Sequence, residues 1–470
     1  MVLAIVLILL IICSILFHFL SPWYFTPIAS NWGTIDDTVT ITFWVTGFVF
    51  VAINLFMAYA VMRYRHRKGR RAVYEPENKK LEAWLVGVTT VGIIAMLAPG
   101  LFVWAKFVKP PEDAAVFEVV GRQWHWGFRF PGKDGVMGTV DARYVSDKNP
   151  FGMNPDDPYG QDDILIASPE LHLPVGRPVK ALLRSIDVLH DFTVPQFRVK
   201  MDLVPGTVTF VWFTPTRTGK FDLLCEELCG IAHFTMRGKV IVEEERAFQA
   251  WLSSYPTAAQ SRAQVAGDAA AGKPLYAVCA ACHGLQAGGN PALHAPKLSG
   301  QGSWYLKRQL QYFKNGVRGT HDKDDFGKMM APMAATLVDD AAIDNVVAYI
   351  KTLPDNPAPS TVNKNTTNSQ KLYVTTCAAC HGADGRGIQA TNAPRLAGMS
   401  DWYLITQLKN FKQGIRGAHP KDLYGPQMAS MAAILADDQA INDLVAYINS
   451  FELPAGQSAV LIEGGRAKDR

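Results

Sequence analysis

Three long apolar segments lie near the start of the chain, and shorter apolar runs separated by polar stretches follow them. The segments cover about residues 2–20, 40–62 and 84–107. Because a helix needs about 20 apolar residues to cross a bilayer, each segment predicts a transmembrane helix. The first segment lacks the basic leader and the nearby small-residue cleavage site of a signal peptide, which favours a retained helix over a cleaved one.

Charge gives these helices a predicted orientation. The loop at 63–80 carries eight Lys and Arg side chains against Glu75 and Glu77. Such positive loops stay in the cytoplasm, so we expect a cytoplasmic N-terminus and, after about residue 110, a chain in the periplasm of a bacterium. The formal net charge of +4 over 470 residues is close to balanced and indicates no nucleic-acid partner.

Residues 116–244 have the pattern of a β-domain. Short runs rich in β-branched and aromatic residues are separated by Gly, Pro, Asn and Asp: VFEVVG, WGFRF, ILIA, PVKALLRS, TVTFVWF and KVIVEE. Many short strands with turn signals predict a sandwich or a barrel. A stretch rich in Ser, Ala and Gln at 253–266 and one rich in Pro and Asn at 354–369 predict flexible linkers.

The segment after the first linker contains an internal repeat. Three motifs recur 98 residues apart: CAACH at 279–283 and 377–381, WYL at 304–306 and 402–404, and GVRG at 316–319 with GIRG at 414–417. Two copies of one helical domain, at about 267–354 and 365–452, are therefore predicted.

Six of the seven cysteines form three close pairs, and a histidine follows each pair. Cys-x-x-Cys-His is the motif that attaches c-type haem, with the histidine placed to bind the iron. The repeats thus predict two haems, held by Cys279, Cys282 and His283 and by Cys377, Cys380 and His381. A zinc site would need two further ligands, and neither repeat offers a second cysteine pair.

Methionines compete for the other axial position of each haem. Met329 is excluded by the repeat, because its counterpart is Gln427. Two pairs remain, Met330 with Met428 and Met333 with Met431. Since buried methionines also fill gaps in cores, the residues alone leave both pairs open.

The third cysteine pair belongs to a different cluster. Cys225, Cys229, His233 and Met236 are close in sequence, and His190 lies about 35 residues upstream. Thiolates, imidazoles and a thioether in a β-domain favour copper, and two cysteines can bridge two copper ions. The alternative is a Cys₂His₂ zinc site, which leaves Met236 unexplained.

Three segments, DVLHDFTVPQFRVKMDLVPG, CEELCGIAHFTM and GRQWHW, resemble subunit II of cytochrome c oxidase, and the resemblance covers about residues 35–245. It implies a dinuclear CuA site held by that cluster and by the backbone carbonyl of Glu227, whose side chain would reach a magnesium ion shared with subunit I. It also implies that electrons enter at Trp124, for which core packing is the alternative. The repeats resemble diheme class I cytochromes c, which implies Met330 and Met428 as axial ligands.

One position departs from the subunit II pattern. That family has a proton-channel glutamate three residues before a tryptophan, whereas Glu82 stands two residues before Trp84. An ordinary carboxylate at the membrane boundary is the alternative interpretation of Glu82.

These observations predict a multidomain chain: a transmembrane anchor of three α-helices at 1–112, a β cupredoxin-like domain at 113–250, all-α cytochrome c domains at 265–356 and 363–456, and a tail at 457–470. The resemblance implies the electron-accepting subunit of a proton-pumping oxidase in the bacterial inner membrane. Subunit I, which would reduce O2 to water, subunit III, a periplasmic cytochrome c or other donor, and membrane lipid are the implied partners. Because the first repeat follows the copper domain, chain order predicts transfer from the second haem to the first and then to copper.

Three other functions fit the sequence less well. Nitrous oxide reductase shares CuA but needs a second, histidine-rich cluster, which eleven scattered histidines do not supply. A copper chaperone has no use for tandem haems. A freestanding electron carrier has no need of a membrane hairpin.

Overall fold

The computed structural model describes residues 2–21, 25–69, 71, 76–146, 149–263, 267–362 and 369–451. It begins with three long helices, α1 (Val2–Leu20), α2 (Gly33–Arg63) and α3 (Lys79–Phe107). Each is long and apolar enough to cross a membrane, so the three predicted spans are present as helices. The second and third begin earlier than the apolar pattern, because their polar first turns are helical as well. The predicted tail at 457–470 lies outside the described residues.

The β-domain is a sandwich of two five-stranded sheets within the described part of the chain. Its strands are β1 (Ala115–Arg122), β2 (His125–Phe130), β3 (Ile164–Ile166), β4 (Glu170–Pro174), β5 (Val179–Ser185), β6 (His190–Val194), β7 (Val199–Leu203), β8 (Thr209–Phe213), β9 (Gly219–Leu224) and β10 (Arg237–Glu243). One sheet has the order β3-β2-β1-β5-β8 and the other β4-β10-β9-β6-β7. Buried aromatic residues such as Phe117, Trp126, Phe192 and Phe213 fill the space between the sheets.

Four strands, β4, β6, β7 and β9, lie outside the six runs named from the sequence. Strand β6 is an example: polar and apolar residues alternate from Asp191 to Val194, but the pattern does not mark a solvent-exposed face. All five of its residues are buried, including the polar His190, Asp191 and Thr193. This strand nevertheless carries a predicted metal ligand at its first residue.

Fixed contacts hold the sandwich on the membrane anchor. Trp32, just before α2, is buried and donates its indole N–H to the Trp212 carbonyl at 3.0 Å. The Trp212 indole in turn donates to the Lys106 carbonyl in α3 at 3.1 Å. Arg198 binds both carboxylate oxygens of Asp36 at 2.6 and 2.8 Å. The sandwich therefore sits at the ends of α2 and α3.

Much of the predicted linker at 253–266 is ordered against the sandwich. It follows α4 (Glu245–Ser253) and contains α5 (Ala258–Ala263). Ala258 is buried, and its N–H donates to the Asp163 carbonyl at 2.7 Å. The expectation of a flexible linker is wrong for this part, because its backbone extends the β-domain, whereas 264–266 lie outside the described residues.

Two all-α domains follow, as predicted. The first contains α6 (Ala269–His283), α7 (Ser303–Lys314), α8 (Asp325–Ala335) and α9 (Asp340–Thr352). The second contains α10 (Ser369–Leu372), α11 (Ala378–His381), α12 (Asp401–Lys412), α13 (Gly425–Ala433) and α14 (Asp438–Ile448). A π-helical turn, Tyr373–Cys377, joins α10 to α11.

The predicted linker at 354–369 is also largely fixed where it is described. The Ala358 N–H donates to the Gly398 carbonyl at 3.1 Å. The Thr361 hydroxyl donates to the Asp401 carboxylate at 2.7 Å. The expectation of a flexible connection is thus wrong for residues up to 362, because these bonds attach the segment to the second cytochrome domain.

Candidate metal centre

The structure brings the predicted copper ligands together at one edge of the sandwich. The Sγ atoms of Cys225 and Cys229 are 3.8 Å apart. His190 Nδ1 lies 4.0 Å from Cys225 Sγ, and His233 Nδ1 lies 3.4 Å from Cys229 Sγ. Met236 Sδ is 3.9 Å from Cys229 Sγ. Residues that are up to 46 positions apart in sequence thus present two thiols, two imidazoles and a thioether to one small volume.

This donor set fits copper. A sulfur–sulfur distance of 3.8 Å is far longer than the roughly 2 Å of a disulfide, so both thiols are available as ligands. The Glu227 carbonyl oxygen is a further candidate metal ligand, 3.4 Å from Cys225 Sγ. Soft sulfur donors combined with imidazoles select copper over harder cations.

Neighbouring groups orient one of these ligands and shift the pKa values of two others. The Asp187 carboxylate lies 2.8 Å from His190 Nε2 and so leaves Nδ1 facing the cysteines. The hydrogen bond with Cys229 lowers the pKa of the Cys225 thiol, and the His190 ring adds to this effect. The same bond and burial raise the pKa of Cys229. One thiolate is therefore stabilised by the protein itself, and the proton of the second thiol would leave when a metal binds.

Trp124 lies directly beside this site. Its indole N–H donates to the Cys229 carbonyl at 3.0 Å, and the Gln123 side chain donates to the same oxygen at 2.7 Å. Trp124 is also buried in the sandwich core. It is therefore a core residue that contacts a predicted metal ligand. Sequence reasoning missed Gln123 and Asp187, because neither residue type signals a role without the neighbouring ligands.

Glu82 is remote from these residues. It lies exposed in the first turn of α3, while Lys106 near the other end of α3 contacts the sandwich. At 1.5 Å of rise per residue, roughly 36 Å of helix separates them. The two predicted functional carboxylates, Glu82 and Glu227, thus lie at opposite ends of the membrane anchor.

Each cytochrome domain holds its motif histidine in the same way. Both rings are buried, and Nδ1 lies 2.7 Å from the Pro296 carbonyl in His283 and 2.8 Å from the Pro394 carbonyl in His381. Since a carbonyl only accepts, Nδ1 carries the proton. Burial lowers the pKa of both histidines, so each neutral ring keeps Nε2 available for iron.

A cavity next to His381 fits a haem. It is lined by the attachment cysteines Cys377 and Cys380, by apolar side chains, and by both candidate ligands, Met428 and Met431. Arg416 also lines it, and the hydrogen bonds described for this guanidinium run to the uncharged groups of Gln407, Tyr305 and Gln309. Among the charged side chains that line the cavity, Arg308, Arg395 and Arg416 outnumber the carboxylate of Asp422, so the cavity fits a cofactor that carries carboxylates.

The same cavity reaches the copper domain, since Trp124, Ala232 and Thr235 line it as well. The Gln427 side chain donates to the Trp124 carbonyl at 2.6 Å, and the Tyr424 hydroxyl donates to the Ala167 carbonyl. The second cytochrome domain therefore lies against the metal centre. The order of transfer expected from chain order would need the first domain beside the predicted copper ligands, whereas these contacts put the second domain there.

The two cytochrome domains also contact each other through a pseudo-twofold arrangement. Arg318 donates to the Tyr403 hydroxyl at 2.8 Å and to Gln407 at 2.9 Å. Arg416 donates to the Tyr305 hydroxyl and to Gln309, both at 2.9 Å. The 98-residue repeat relates each partner in one set to its counterpart in the other. These arginines and tyrosines lie in the repeated motifs noted above, so a sequence signal for them existed.

Two family profiles match the β-domain and the two all-α domains of this chain. The profile of the family described as "Cytochrome C oxidase subunit II, periplasmic domain" matches residues 115–244. The profile described as "Cytochrome c" matches residues 269–354 and 367–452. The three matched ranges lie within the predicted domains and contain the predicted copper ligands and both CAACH motifs.

Two relatives and one solved structure are similar to this chain. Alternative cytochrome c oxidase subunit 2 of Bradyrhizobium diazoefficiens is 61% identical over 257 residues, which are 55% of this chain and 93% of that protein. Cytochrome c oxidase subunit 2 of Cereibacter sphaeroides is 32% identical over 228 residues, 44% of this chain and 74% of that protein. The solved structure of reduced recombinant cytochrome c4 from Pseudomonas stutzeri is 29% identical, with a TM-score of 0.31, and the match covers 40% of this chain and all of that one. The chain belongs to the cytochrome c oxidase subunit II family and carries two cytochrome c domains after its subunit II periplasmic domain.

Proposed function

We propose that this chain accepts electrons from a periplasmic donor and passes them through two c-type haems and dinuclear CuA to subunit I, where O2 is reduced to water with proton pumping. Membership of the subunit II family gives the chain an electron-transfer role in a terminal oxidase. The finer assignments, including subunits I and III as partners and a Glu227 side chain that binds magnesium, are part of the proposal.

The observation that carries the proposal is the convergence of the ligands around Cys225 and Cys229, whose sulfur atoms are 3.8 Å apart. Cys225, Cys229, His190 and His233 would hold the copper ions, which would supply a one-electron acceptor. The protein holds the candidate metal ligands in place: Asp187 orients His190, and the Trp124 indole N–H donates to the Cys229 carbonyl.

Contacts support a route that differs from chain order. The second cytochrome domain touches the copper domain at Trp124, and the first touches the second through Arg318 and Arg416. The proposed order is donor, first domain (His283), second domain (His381) and CuA. Met330 and Met428 are the proposed axial ligands. Met330 is half-buried, whereas Met333 is exposed, and Met431 packs against the sandwich core.

The membrane anchor supports the proposed location. Three apolar helices precede the copper domain, and the basic loop at 63–80 favours a cytoplasmic N-terminus with CuA and both cytochrome domains in the periplasm. The proposed membrane is the bacterial inner membrane. A proton-channel role for Glu82 remains part of the proposal, at the end of α3 remote from copper.

Copper EPR of the oxidised full-length chain tests the central claim. A mixed-valence pair should give more hyperfine lines than the quartet of an isolated copper. Cys229→Ser should convert or abolish the signal. His172→Gln is the matched control, because His172 belongs to the same domain but is paired with Glu243 at 2.7 Å. A quartet from the unmodified chain would contradict the dinuclear site.

A further inference from the structure

The two cytochrome domains present the same face in different surroundings. In the second domain this face consists of Tyr424, Gln427, Met431 and the attachment cysteine Cys380, and we call it the docked face. The repeat places its equivalent in the first domain at four positions, which we call the exposed face: Phe326, Met329, Met333 and Cys282.

The docked face is covered by the copper domain. Tyr424 and Gln427 donate hydrogen bonds to backbone carbonyls of that domain, one of them to Trp124. Met431 and Cys380 pack against the sandwich core. The edge of the cavity that holds His381 is therefore in contact with the acceptor site, so this face is the exit for electrons in the proposed route.

The exposed face is apolar and open. Phe326, Met329 and Met333 are 44%, 62% and 41% exposed, and their spacing of three and four residues puts them on one side of α8. Cys282 is exposed as well. At the two positions where the docked face donates hydrogen bonds, Gln427 and Tyr424, the exposed face carries the side chains of Met329 and Phe326.

This difference in chemistry suits two kinds of contact. Hydrogen bonds to fixed carbonyls suit a permanent contact within one chain. An apolar patch without such bonds suits a partner that must bind and leave quickly, and contacts between redox proteins are among the smallest protein interfaces. Buried aromatic and methionine side chains are typical of the centre of an interface.

We propose that the exposed face is the docking site of the electron donor, a soluble one-electron carrier protein with an apolar patch around its cofactor. The inference rests on the proposed function and assigns the first domain as the point where electrons arrive. The charged residues next to the patch in sequence are of both signs: Asp322, Lys323, Asp324, Asp325 and Lys328. Three acidic and two basic side chains leave a net charge of only −1, so docking depends on apolar contact and varies little with ionic strength.

The test uses the intact oxidase complex with a reduced soluble c-type cytochrome as the probe. Met329→Asp places a charge at the centre of the exposed face and should raise KM for the cytochrome about tenfold or more, with kcat retained. Val338→Asp is the matched control, because Val338 is 81% exposed and lies outside the face. The control should leave KM unchanged.

Two further measurements separate the possible failures. Turnover with a small-molecule electron mediator, together with the copper EPR signal, should be the same in Met329→Asp as in the unmodified complex. If the unmodified complex shows neither turnover with the mediator nor the copper EPR signal, the proposed function itself is contradicted. An unchanged KM for Met329→Asp with mediator turnover intact would overturn only the docking site. If Met329→Asp changes the sedimentation of the complex but leaves KM for the cytochrome unchanged, the exposed face is an interface with a second copy of the chain. That result would overturn the donor proposal.

Discussion

The two cytochrome domains share one fold but differ at the face beside their second attachment cysteine. In the second domain, Gln427 donates to the Trp124 carbonyl of the copper domain at 2.6 Å. In the first, the equivalent residue is Met329, which is 62% exposed. The two copies of a duplicated domain can thus differ at one face through a few surface substitutions, while the cofactor motif CAACH stays the same.

The interiors show what both copies keep. The Tyr276 hydroxyl donates to the Gly284 carbonyl at 2.8 Å, and the Tyr373 hydroxyl donates to the Gly382 carbonyl at 2.7 Å. The second copy has one more residue between this tyrosine and its motif, so the 98-residue offset does not extend to the tyrosines. The π-helical turn at Tyr373–Cys377 absorbs the extra residue and preserves the contact.

The largest expected effect comes from the axial ligands. Met330→Ala and Met428→Ala should each remove the weak near-infrared sulfur–iron band of one haem and lower its potential, because a thioether ligand raises the potential of haem iron. The shift should be a sizeable part of the roughly 0.8 V range that axial ligands span. Redox titration of each variant measures it.

The controls are Met333→Ala and Met431→Ala, which should keep both bands. Loss of the band in either control would assign the ligands to the other methionine pair. Loss in only one of them would show that the two domains bind iron differently.

A smaller effect is expected at the pseudo-twofold contact. Arg318→Ala and Arg416→Ala each remove hydrogen bonds from a guanidinium to the other domain. Each should lower the free energy of unfolding by about 1.5–3 kcal/mol. Thermal unfolding followed at the haem absorption band measures the change.

The double variant Arg318→Ala/Arg416→Ala should lose less than the sum of the two, since both arginines share Gln309 and Gln407 as partners. Strongly unequal single effects would show that only one half of the pseudo-symmetric contact is stabilising.

The smallest expected effect is at the docked face. Gln427→Met and Tyr424→Phe give the second domain the residues of the exposed face, and each removes one hydrogen bond to the copper domain. Each should weaken docking by about 0.5–1.5 kcal/mol and slow the transfer of electrons from the second haem to copper. Flash-induced or stopped-flow reduction of copper measures that rate. A rate unchanged in the double variant would show that these bonds do not position the domain.

Prediction from sequence succeeded where one physical signal dominates. Apolar length gave three spans, now seen as α1, α2 and α3. The cysteine and histidine spacing gave a cluster that the fold gathers within 4.8 Å in the case of His190, Cys225 and Cys229. Strand β6 was not among the runs named from sequence: its last four residues alternate between polar and apolar, but all five are buried, so the alternation does not separate a buried face from a solvent-exposed one.

The residues that hydrogen-bond to the candidate ligands could not be predicted from the sequence either. Asp187 and Gln123 are ordinary polar residues until the fold puts them 2.8 Å from His190 Nε2 and 2.7 Å from the Cys229 carbonyl. Composition alone led to the expectation that both linkers are flexible. In the structure, however, the Ala258 N–H donates a hydrogen bond to the Asp163 carbonyl and the Ala358 N–H donates one to the Gly398 carbonyl.

The sequence by itself determined the parts of this protein: the membrane helices, the β-domain, the duplicated cytochrome and the candidate ligands in each part. These depend on local composition and spacing, which do not change with the path of the chain. Only the tertiary structure decided which cytochrome domain contacts the β-domain beside the predicted copper ligands, because connectivity limits distance but does not choose among the faces within reach. That choice depends on a few contacts between residues far apart in sequence, such as Gln427 with Trp124, and it reverses the order in which the chain presents its two haem motifs.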